Sequence, residues 1–209
     1  MHTPHVTLHG LSGSTPASAG SSTLSVPSDP PASTDPTTPH AAQASRSSQH
    51  GYDAGLLALR LVLGLTMAAH GTQKLFGWFG GHGLDGTAQG FTAMGYPAGR
   101  AMATVAGLTE TLGGLGLAVG LLTPLAGAAV LGTMVNAFTA TWDGGFFAPE
   151  GVEYAVVLAA GAACLTLTGP GRYAADRLLP VLRDHRLAHG LAALVLALVT
   201  ACAVLLTRA

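Results

Sequence analysis

The stretch from Leu56 to Phe79, LLALRLVLGLTMAAHGTQKLFGWF, constrains the fold more than any other part of the chain. About 20 apolar residues rising about 1.5 Å each cover roughly 30 Å of hydrocarbon, so the stretch is long enough to cross a bilayer. It nevertheless contains Arg60, His70 and Lys74. A charged group at membrane depth costs on the order of 2.5–3.5 kcal/mol on insertion scales. These side chains must therefore face other protein, and the rest of the chain has to supply what they face.

Four further apolar runs follow, Ala101–Leu122, Leu125–Trp142, Val152–Thr168 and Leu187–Leu206. Thr123-Pro124 leaves room only to reverse the chain, and Gly169-Pro170-Gly171 stops the fourth run, which is at the short limit for a span. The fifth run carries no internal charge. Between the first two spans, Asp85 is placed to cap a short amphipathic helix running to Met94, with Leu84, Phe91 and Met94 as its apolar side. This segment is expected to lie on the membrane surface. Only 9% of the 209 residues are charged and 29 are glycine, a balance suited to closely packed helices in lipid. The net charge of −1 gives no basis for a nucleic-acid partner. Cys164 and Cys202 lie in apolar runs outside any ligand spacing, so no metal site is expected and both thiols are expected to be buried.

The first fifty residues are rich in Ser, Thr, Pro and His and show no hydrophobic periodicity. Such a segment buries too little apolar surface to offset its ordering entropy, and it lacks the basic start and apolar core of a secretory signal. The expected fold class is an all-α membrane protein, divided into a disordered tail (1–52), a four-helix membrane domain (53–180), and a linker with an extra transmembrane helix (181–209). Arg172, Arg177, Arg183 and Arg186 all lie between the fourth and fifth spans, which places that loop and the N-terminus on the cytoplasmic side. Trp78, Tyr96, Trp142, Phe146, Phe147 and Tyr154 then fall near the outer surface as an aromatic belt.

At about 100° per residue, Arg60, His70 and Lys74 share an arc of roughly 80° on the first helix. Glu110 sits mid-way along the second span among Gly107, Gly113 and Gly114, and Asn136 lies in a small-residue stripe with Ala128, Gly132 and Ala140 on the third. Glu153 begins the fourth. Loop counting predicts a central layer of Arg60 and His70 with Glu110 and Asn136, and a Lys74–Glu153 pair above it. Such a set either fixes helix register or lines a polar pocket for a small ligand or a proton.

Three stretches together resemble the DoxX family of small membrane proteins: LRLVLGLTMAAHGTQKLFGWFGGHGLDG (Leu59–Gly86), GLTETLGGLGLAVGLLTPLAG (Gly107–Gly127), and Asn136 followed after seven residues by GGFFAPEGVEYAVVLAAGAACLTLTGPGRYAAD, ending at Asp176. The resemblance covers about residues 55–180. It implies a DoxX-type four-helix bundle in the plasma membrane. It also implies a link to redox systems, since some relatives are subunits of thiosulfate:quinone oxidoreductases and another is a membrane partner in thiol and superoxide defence. The site residues it carries over are Arg60, His70, Lys74, Glu110 and Glu153.

Two functions remain open. The chain is either a redox subunit or accessory handling quinone or a sulfur species, or a non-catalytic scaffold that anchors partner enzymes. A small-solute path ranks below both, because four short helices leave little room for a channel. The sequence carries no nucleotide-binding glycine motif, no haem-type His pair and no Cys cluster, so electron chemistry would borrow a quinone or a partner. Partner redox subunits, further copies of the chain and the lipid bilayer are the associations in view.

Overall fold

The computed structural model describes residues 39–147, 149, 151–180 and 186–208. Within them lie α1 (Pro39–Phe76), α2 (Gly83–Ala93), α3 (Gly99–Val119), α4 (Thr123–Ala140), α5 (Glu153–Thr168) and α6 (Leu187–Leu205), with short 3-10 turns between, and no strand among the described residues. The stretch Ser48–Phe76 of α1, together with α3, α4 and α6, is long and apolar enough to cross a membrane, whereas α5 is shorter. The all-helical membrane architecture is thus the one expected.

The start of α1 differs from expectation. Hydropathy marks where lipid begins and puts the helix start at Leu56, but the helix begins at Pro39. Proline suits a first helical turn, whose N–H groups have no partner in any case, and no second proline follows, the helix running on through Gly51 and Gly55. Residues 39–52, assigned to the tail, are therefore helical, and the disorder expected for 1–38 lies outside the described residues.

Helices α1 and α3 pack antiparallel along most of their length. Glycine permits it: a Cβ on Gly64 would stand 2.5 Å from the Gly114 carbonyl oxygen and 2.6 Å from the Ala118 nitrogen. α3 then turns into α4, which packs against α5, and α5 meets α1 over a small contact to close the ring. Met67, Leu117, Val130 and Leu165 fill the centre. α6 lies outside the ring against α4 and α5. It turns Ala193, Ala197 and Ala201 inward, one every four residues, so its backbone comes close to α4.

Cys164 and Cys202 are exposed, against the expected burial. In a membrane protein an apolar stretch turns one face to lipid, so apolar neighbours in sequence do not imply protein neighbours in space. Asp85 likewise does not cap α2; it pairs with Arg100 instead, and both side chains are largely exposed. α2 packs across α3 and α1, and none of its residues is fully buried. Of the aromatic belt, Tyr96 is buried, while Trp78, Trp142, Phe146, Phe147 and Tyr154 are exposed.

Candidate functional site

Antiparallel register decides which polar groups meet. Gly64 faces Ala118 and Gly71 faces Thr111 across the α1–α3 contact. Lys74, one turn past Gly71, therefore comes nearly level with Glu110, while Arg60 lies about 12 residues of rise, roughly 18 Å, from it. Lys74 Nζ donates to Glu110 Oε2 at 2.5 Å, with the Glu110 side chain nearly sealed and the Lys74 side chain 29% accessible. The expected Arg60–Glu110 and Lys74–Glu153 pairings are replaced by this single ion pair.

Arg60 is 1% exposed and serves the opposite end of the bundle. Its guanidinium donates to the carbonyls of Pro170, of Tyr173 at 2.7 Å and of Ala118 at 3.4 Å. Gly120 ends α3 beside it in the left-handed conformation (φ 73°), and a Cβ there would stand 2.8 Å from Arg60 Nη1. Asp176, also 1% exposed, accepts from the N–H groups of Leu122 at 2.5 Å and Thr123 at 2.9 Å, capping α4 from a distant segment. Asp53 joins the same end by accepting from the Arg172 N–H at 2.9 Å. This cluster ties α1, the α3–α4 turn and the segment after α5 together, with Arg60, Asp53 and Asp176 all buried.

Around Lys74 and Glu110 the chain instead leaves space. A cavity of about 1050 Å³ is bounded by α1, α2, α3, α4, α5 and α6. His70, Lys74, Glu110 and Asn136 line it, as do Tyr154 and Thr200. Arg60 and Glu153 are not among the residues that line it. Glu153 opens α5, where a negative charge suits the helix dipole. Its neighbour Tyr154 bonds His70 Nε2 at 2.8 Å with the rings 5.5 Å apart, so the α1–α5 contact carries a polar bridge. Asn136 returns a bond to the Gly132 carbonyl at 2.9 Å and accepts a longer one, 3.4 Å, from the Tyr96 hydroxyl. The stripe Ala128, Gly132, Asn136 and Ala140 forms a wall of the cavity. Gly86, Thr87, Gly90, Phe91 and Met94 make α2 its cover.

Tyr154, Tyr96 and α6 belong to the site although sequence reasoning passed over them. Both tyrosines read as members of an aromatic belt, and α6 as an unrelated fifth span. The signal for α6 was available in the spacing of Ala193, Ala197 and Ala201, with Thr200 beside it. Just past α6, Arg208 Nε donates to the Met94 carbonyl at 2.7 Å, and the guanidinium stands 5.8 Å above the Tyr96 ring. Among the described residues, no group of three or more His, Cys, Asp or Glu is placed to hold a metal ion.

A bundle of apolar helices enclosing one ion pair beside a largely apolar cavity is a small integral membrane protein. Residues 55–142 match the DoxX family model, so that stretch of the chain is similar to DoxX-family proteins. The match takes in Arg60, His70, Lys74, Glu110 and Asn136, whereas Tyr154 and α6 lie beyond it. No curated protein and no solved structure matches the chain.

Proposed function

We propose that the chain is a plasma-membrane subunit or accessory of a redox system of the thiosulfate:quinone or thiol-linked type, and that its cavity receives a quinone. The observation that carries this reading is the Lys74–Glu110 pair, which is sheltered from lipid yet open to a cavity of about 1050 Å³. The volume is near the upper end of small-molecule sites, which run to roughly 1,000 Å³, and the mixture of apolar walls with a few convergent donors is typical of them. Lys74 Nζ and the Tyr154 hydroxyl are donors suited to a carbonyl oxygen, and Glu110 is placed to hold a proton beside them. His70, bonded to Tyr154, orients that hydroxyl. A bound quinone would supply the electron-carrying chemistry, and the chain's own residues bind, orient and exchange protons. Arg172, Arg177 and Arg186 at the opposite end support a cytoplasmic location for that end and for the N-terminus; Arg183 lies outside the described residues.

The test is binding of decylubiquinone to the full chain in nanodiscs. The native chain is expected to bind it, and Glu110→Gln to weaken binding by about tenfold or more, the loss of one charge-assisted contact. No binding by the native chain would remove the quinone reading. Retention of a co-purifying enzyme in gentle detergent, with binding unaffected by Glu110→Gln, would favour the scaffold.

A further inference from the structure

The cavity has a side that faces lipid. α4 packs against both α3 and α6, whereas among the described residues α3 and α6 share no substantial contact, so a groove runs between them with α4 as its floor. Val105 on α3 is 59% exposed and yet lines the cavity, and exposed Thr200 on α6 does the same from the other side. The floor is made of small residues, Gly132 and Ala129 among them, and a Cβ on Gly132 would approach the Ala197 carbonyl oxygen no closer than 3.5 Å. Where the groove reaches the α2 end, Arg208 spans it by bonding Met94 over the Tyr96 ring. The polar groups lie inward of that strap.

We infer that this groove is a lateral entrance, through which the site takes an amphipath directly from the bilayer: a hydrogen-bonding ring or head that reaches Lys74 and Tyr154, trailing an alkyl or isoprenoid chain between Val105 and Thr200. The inference rests on the reading of the cavity as a ligand site but not on the ligand being a quinone. Lys74, Glu110, His70 and Tyr154 offer the cavity's head-binding groups, while the groove is lined by Val105, Ala129 and Gly132 and by Thr200, whose hydroxyl is taken up by carbonyls of its own helix, a lining that suits a headed chain. A small water-soluble anion would leave the groove unfilled. α6, which lies beyond the DoxX match, supplies one rim, so the entrance is a property of this chain's extra helix.

The experiment uses the full chain in nanodiscs with two tailed probes, decylubiquinone and 4-decylphenol, counted by native mass spectrometry. Val105→Trp and Thr200→Trp fill the two rims. Leu112→Trp adds the same ring to α3 at an exposed position that does not line the cavity. Each rim variant is expected to weaken both probes by about tenfold or more, and Leu112→Trp by less than about twofold. Rim variants that bind both probes as tightly as Leu112→Trp overturn the entrance. Binding of decylphenol without decylubiquinone by the native chain removes the quinone reading and leaves the entrance standing; binding of neither removes both. Should a tryptophan variant fail to assemble, V105C labelled with a bulky maleimide after purification makes the same plug, in a background where exposed Cys164 and Cys202 are replaced by Ala.

Discussion

The two ends of the bundle treat buried charge in opposite ways. At one end Arg60 and Asp176 are both about 1% exposed, and the two terminal guanidinium nitrogens and both carboxylate oxygens are taken up by backbone groups of three separate segments, with Arg60 Nε alone left without a partner. At the other, Lys74 is paired with a sealed Glu110 but stays 29% accessible beside a cavity. The solvation penalty that forces both sets inward is the same. The difference lies in what the structure leaves unfilled. A charge whose every partner is backbone holds the chain together, whereas a charge pair that borders empty space is available to something else.

That contrast is broken most easily at Arg60. Arg60→Leu removes the donor shared by Pro170, Tyr173 and Ala118 and strips Asp176 of the nearby positive charge. Breaking a buried charged network by removing one member costs about 3–5 kcal/mol, so the variant is expected to aggregate on gentle heating in detergent. Glu110→Gln, at the cavity, is expected to melt close to the native chain. A stable Arg60→Leu together with an unstable Glu110→Gln would reverse the roles assigned to the two ends.

Much of this organisation was legible in the sequence, and its failures have one physical cause. Spans, turns and the inward arc of Arg60, His70 and Lys74 follow from periodicity and the cost of charge in lipid. The pairing does not, because rotation about one helix says nothing of the axial register between two. Register is set by where backbones approach, at Gly64 with Gly114 and at Gly71 with Gly107 and Thr111, and those contacts decide that Glu110 meets Lys74 and not Arg60. The exposure of Cys164 and Cys202 was misjudged for a related reason, since composition cannot separate a helix face turned to protein from one turned to lipid. Tyr154 was hidden because an aromatic residue near a helix start looks like an interfacial anchor until His70 is seen beside it.

A smaller effect sharpens the cavity's side of the comparison. Tyr154→Phe keeps the ring packed against His70 and deletes one hydroxyl. A neutral hydrogen bond is worth about 0.5–1.5 kcal/mol, so decylubiquinone binding is expected to fall by about two- to tenfold with little change in melting. Titration calorimetry of the purified variant checks it. Unchanged affinity would take the hydroxyl out of the site and leave Lys74 and Glu110 to orient the ligand alone.

The smallest effect is expected at Arg208, and it falls on rate more than on affinity. The residue bonds Met94 from just beyond α6 and lies over Tyr96, so it joins the extra helix to the corner between α2 and α3. Arg208 is exposed although the Tyr96 ring beneath it is buried, and an exposed cation over an aromatic ring is worth about 0.5–1 kcal/mol. Arg208→Gln should therefore leave the bundle intact while loosening the strap across the groove. A ligand held by Lys74 and Tyr154 would keep most of its equilibrium affinity, because those contacts lie elsewhere. Its escape would quicken, since the groove's end no longer closes behind it. Dissociation of a fluorescent decyl-chain probe from nanodiscs, followed by stopped flow, is expected to speed up by about two- to fivefold, the factor that 0.5–1 kcal/mol allows. Arg208→Lys restores the charge but not the Nε–H, so it should recover only part of the delay. Identical release from the native chain and Arg208→Gln would mean that α6 forms a wall of the site without controlling passage through it.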